Sequence, residues 1–152
     1  MKWIGPLFEN AGGWKAFVAF SDDVWYIKNS EPLKIDAGKP GVMLLPMLDE
    51  KYGRGYEYQI SILKEGLSEN NQNPEEATSF PFHVPVVVAF KDMPGWVDVA
   101  SDWVQHLQLT TEIAQEIFDA CQKKHLSQIS RYKALKVINK WAREQGFEFL
   151  RS

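Results

Sequence analysis

The stretch SQISRYKALKVINKWAREQ, from Ser127 to Gln145, decides how the rest of the chain is read. At about 100° per residue, Lys133, Lys136, Lys140 and Arg143 fall within roughly 80° of one another on a helix. Ala134, Leu135, Ile138, Trp141 and Ala142 occupy the opposite side. Ser127 suits an N-cap, and Gly146 stands where a left-handed residue commonly ends a helix. The spacing predicts an amphipathic helix with one cationic and one apolar side, packed on a β-layer.

The same period extends upstream as far as Pro94-Gly95. Trp96, Val99, Ala100, Trp103 and Leu107 predict a first helix. Thr110 or Thr111 can cap a second, with Glu112 in its first turn and an apolar arc of Ile113, Ala114, Ile117, Phe118 and Cys121. Phe147 to Leu150 alternates, predicting a short returning strand.

Before Pro94 the pattern is that of a sheet. Lys15–Phe20 and Val24–Ile27 flank Ser21-Asp22-Asp23 and predict a hairpin. Leu33–Ala37 alternates up to a turn at Gly38–Gly41, and Val42–Leu48 is an apolar run that Pro46 demotes to an edge. Tyr56, Tyr58, Ile60 and Ile62 alternate with Glu57, Gln59 and Ser61, predicting a strand to Leu63. Phe82–Phe90 is expected as a further strand, with Pro85 at a sheet edge. Residues 66–80 are expected to form one long polar loop.

The expected class is α+β in a single domain over residues 1–152. An antiparallel or mixed sheet from about residue 14 to 90 is covered on one face by two or three C-terminal helices. Its expected core holds Tyr56, Ile60, Val84, Val86, Val88, Trp103, Ile117, Leu135 and Ile138.

Composition narrows the function classes. With 45% apolar and 13% aromatic residues in 152, the chain can bury enough surface to offset ordering entropy, which excludes a disordered chain. No apolar run approaches the roughly 20 residues that span a bilayer, so a soluble protein without a membrane partner is expected. The one cysteine, Cys121, excludes an internal disulfide and suits the cytoplasm. Residues 1–122 hold nine Lys and Arg against eighteen Asp and Glu, whereas residues 123–152 hold eight against two. Such asymmetry marks a polyanion-binding surface or a basic helix beside an acidic edge.

Several constellations can carry chemistry. Lys133, Lys136, Lys140 and Arg143 form a row able to meet phosphates or an acidic partner, or else an ordinary solvated helix face whose late cations suit the C-terminal dipole. Asp98, Asp102 and His106, spaced i, i+4, i+8, make a stripe able to ligate a metal or act as acid and base, or else a wet helix face. Cys121 and His125 are also i, i+4, though on the apolar side. His83 follows the expected loop and could serve as a general base, though with no paired nucleophile in the sequence a structural histidine is the favoured reading. Leu109 to Ile117 opens like a DNA-reading helix-turn-helix, but Phe118 and the continuing helical pattern argue against one. Gly12-Gly13 and Gly53-Arg54-Gly55 match neither a P-loop nor a dinucleotide fingerprint.

No catalytic set converges in the sequence, and no cofactor or metal is expected. The leading expectation is a non-catalytic binding protein that recognises a protein or small ligand through an aromatic-rich sheet and loop surface. Tyr52, Tyr56, Trp25, Trp96 and His83 are its candidate contacts, because Trp and Tyr bury much area at low entropic cost. The alternatives are nucleic-acid binding through the basic helix, or a small enzyme using His83 or the Asp98/Asp102/His106 stripe. Oligomeric state is not legible.

Overall fold

The computed structural model describes residues 1–36 and 38–151. The class is α+β, a three-stranded antiparallel sheet accompanied by helices. The chain forms two compact units, one of residues Met1–Pro81 and one from Phe82 onward.

In the N-terminal unit, β1 (Val18–Ser21) and β2 (Val24–Ile27) pair with Ser21 opposite Val24. The two-residue turn between them needs positive φ at both positions, and Asp22 and Asp23 adopt it at 51° and 63°. β2 also pairs with β3 (Leu33–Lys34). The first residues run beside β1: Ile4 and Val18 exchange both backbone hydrogen bonds, at 2.7 and 2.9 Å. Ala37, expected to end the third strand, lies outside the described residues.

The sheet stops there, and three expected strands are helices. Residues 42–48 fall in α1 (Lys39–Met43) and a 3-10 turn at Leu45–Leu48; Pro40 and Pro46 stand early in each, where a missing N–H costs nothing. After α2 (Glu50–Gly53), residues 56–63 open α3 (Tyr56–Glu69). Its buried residues Gln59, Ile60, Leu63 and Leu67 follow helical spacing, which the alternation of Tyr and Ile concealed. The expected polar loop is the end of α3 plus a 3-10 turn at Pro74–Ser79 that packs on α3. Gly53 allows α2 to lie against the preceding turn, since a Cβ there would stand 2.0 Å from the Met47 carbonyl oxygen.

In the C-terminal unit the described residues form helices joined by short irregular connections, and none of them lies in a strand. The expected strand at 82–90 is α4 (His83–Asp92), buried without a break from Val84 to Phe90. A helix apolar all round lacks the period that distinguishes it from a buried strand, and Pro85 sits in its first turn rather than at a sheet edge. α5 (Val97–Trp103), α6 (Thr111–Cys121) and α7 (Gln128–Gln145) lie where the apolar spacing predicts them. Thr110 caps α6 by accepting from the Ile113 N–H at 3.2 Å, and Gly146 ends α7 with φ 67°. α4 packs on α5 and α6, and α7 packs on α5 and α6. Within this unit α7 therefore meets helices, not the expected β-layer. Residues 147–150 form no strand. Of the expected core, Tyr56 and Leu135 are only half-buried; the other seven are buried. Among the described residues no helix is long and apolar enough to cross a membrane.

Candidate functional site

α7 is built to present its outer face. Ser127 caps it, accepting from the Ser130 N–H at 3.1 Å. Ser130, Ala134, Ile138 and Ala142, one turn apart, are its buried seam. Turned away from that seam, Ile129, Tyr132, Lys133, Lys136, Lys140 and Arg143 are all exposed and share an arc of about 100°. Ile129 is 71% and Tyr132 66% exposed. Sequence reasoning missed these two, although the i, i+4 spacing of Ile129 to Lys133 and of Tyr132 to Lys136 carried the signal. No carboxylate lies in the arc; Glu144 stands just beyond it. Lys133 Nζ is 3.0 Å from Asp102 Oδ1, so this cation is tethered. Lys136, Lys140 and Arg143 make no ion pair with a described residue.

The acidic stripe is what tethers α7. Asp98 Oδ1 accepts a hydrogen bond from the Ser130 hydroxyl and another, at 3.4 Å, from the Ser127 hydroxyl. With Asp102 holding Lys133, the two carboxylates are taken up by the first two turns of α7. His106 lies in a 3-10 turn with its ring 6.1 Å from Trp103. The two carboxylates thus belong to a polar helix–helix seam. Among the described residues no group of three or more His, Cys, Asp or Glu is placed to hold a metal ion. Cys121 ends α6 buried, while His125 is exposed beyond it, so their helical spacing lapses. Burial pushes the Cys121 thiol up to about 11, against a smaller opposing effect of Arg131.

The expected aromatic contacts are distributed over the two units. In the first, Trp25 is not a surface anchor: strand alternation turns it inward. Its indole N–H donates to Ser79 Oγ at 3.0 Å, and its ring packs on Phe20 and Phe80 at 5.0 and 5.2 Å. Tyr52 is half-buried with Lys51 Nζ 5.4 Å from its ring. Tyr56 is half-buried, its phenol raised by burial and then by Glu57. In the second unit, Trp96 is half-buried in a 3-10 turn. His83, half-buried at the start of α4, has its pKa lowered by burial, which Glu116 and Glu112 partly oppose.

Concavities flank the residues that follow α7. One of about 570 Å³ is lined by Asn139, Arg143, Phe147, Glu148, Phe149 and Arg151, among others. In the N-terminal unit a groove of about 380 Å³ runs between the first residues and α3, with Trp3, Tyr58, Ile62 and Glu65 along it. No family model matches the chain, and no characterised protein or solved structure is significantly similar to it.

Proposed function

We propose that the chain is a non-catalytic binding protein that docks the phosphodiester backbone of a nucleic acid on the outer face of α7. The observation that carries this reading is the arc itself, where three cations with no ion pair among the described residues stand on successive turns beside an exposed Tyr132 and Ile129, with no carboxylate in the arc. Cations repeating turn by turn suit a polymer charged at regular intervals, and a tyrosine beside them offers a ring on which bases can stack. Free Cys121 agrees with a reducing compartment such as the cytoplasm.

The test is fluorescence anisotropy of a labelled oligonucleotide across a salt series. Binding is expected to weaken linearly in log–log form with a slope on the order of −2 to −3. The double change Lys136→Glu and Lys140→Glu is expected to abolish it. Absence of binding at low salt, or binding indifferent to that double change, overturns the reading.

A second reading, recognition of a small ligand by aromatic residues, is favoured by the groove holding Trp3 and the exposed Tyr58. It predicts a ligand whose thermal stabilisation of the protein disappears in Tyr58→Ala.

A further inference from the structure

The residues after α7 are held in place by independent contacts. Gly146 N–H donates to the Arg143 carbonyl at 3.3 Å and Phe147 N–H to that of Ala142 at 2.8 Å, closing the helix in a Schellman motif. The chain then crosses to α6. Phe147 lies 5.9 Å from Trp141, and Phe149 stacks on Phe118 at 4.5 Å. The Gln115 carboxamide pairs with both main-chain groups of Leu150, each at 2.9 Å. Arg151 is thereby carried over the Phe118 ring, 5.1 Å from its centre.

This path places Arg151 and Arg143 on one concavity of about 570 Å³, with Asn139, the Phe147 and Phe149 rings and the Glu148 carboxylate. The volume lies within the range of small-molecule sites. Two guanidiniums can fork onto phosphate oxygens, and aromatic walls accept a flat ring. Glu148 would repel a bare phosphate, but a carboxylate accepts from the exocyclic amine of a base such as cytosine. The set fits a nucleotide better than an inorganic anion. Arg143 also belongs to the α7 cation row, so the row runs directly into the concavity.

We propose that this concavity receives an unstacked base, which makes the polymer bound along α7 a single strand rather than a duplex. The proposal rests on the nucleic-acid reading above. A base inside a duplex keeps its faces stacked and its pairing edge occupied, and reaches such a site only when splayed out.

Anisotropy is measured at one salt concentration with a labelled 12-nucleotide single strand and its duplex, and by competition with polyphosphate. The single strand is expected to bind roughly tenfold more tightly than the duplex. Asn139→Ala should erase that preference while leaving duplex and polyphosphate binding within about twofold, and Arg151→Gln should erase it while weakening polyphosphate and duplex binding by a smaller factor than single-strand binding, with melting curves confirming the fold. Equal affinity for strand and duplex, or a preference surviving both substitutions, overturns this inference and leaves the α7 reading standing. Failure to bind any of the three overturns both.

Discussion

The Ser130 hydroxyl on α7 donates to the Asp98 carboxylate on α5. Ser130 is buried, and Asp98 also receives the Ser127 hydroxyl that caps α7, so one carboxylate fixes both the start of the helix and its seat. Asp98→Ala is expected to lower unfolding free energy by about 1–3 kcal/mol, since it strands a buried hydroxyl. Asp102→Ala, which breaks only the solvent-exposed pair with Lys133, should cost less than about 1 kcal/mol. Urea denaturation of the two variants checks the contrast; equal losses would refute this account of the seam.

Gln59 is buried on α3, and its Nε2 donates to the Leu7 and Gly53 carbonyls at 2.8 and 2.6 Å. Gln59→Leu keeps the bulk and leaves two acceptors unpaired. A loss on the order of 2 kcal/mol is expected by chemical denaturation.

His83 gives the fold a pH dependence whose sign follows from its lowered pKa. The folded state favours the neutral ring, so between the unfolded value, near 6.5, and the lower folded one the unfolded chain binds more protons. Stability is therefore expected to fall as pH drops below about 6.5. In His83→Gln, whose side chain does not titrate, thermal melts over pH 5 to 7.5 should show a shallower slope.

Cys121, buried and raised to about 11, should resist thiol reagents at pH 8 in the folded protein and react at once in denaturant. The same shift lowers stability as pH climbs above the unfolded thiol value, because only the unfolded chain then releases the proton. Fast native labelling of Cys121 by a colorimetric thiol assay would contradict its placement.

Legibility in the sequence tracked how one-sided each element's surroundings are. α6 and α7 each have one buried and one wet side, so apolar spacing and the caps Thr110, Ser127 and Gly146 located them. The β1–β2 hairpin was legible from Asp22-Asp23 between apolar runs. α4 was misread as a strand because burial on every side removes the period, and β-branched valines then tip local propensity the wrong way. α3 reads as a strand because four alternating residues outweigh a helical face that is completed only at Leu67, amid polar neighbours.

By itself the sequence determined the α+β class, the cationic row on α7 and the positions of its caps, all consequences of local spacing along one chain. Only the tertiary structure decided that Trp25 lies inside, that Asp98 and Asp102 serve the α7 seam, and that Arg151 and Arg143 share a concavity. Those facts depend on which residues far apart in sequence meet, and spacing within a single element carries no information about its partner.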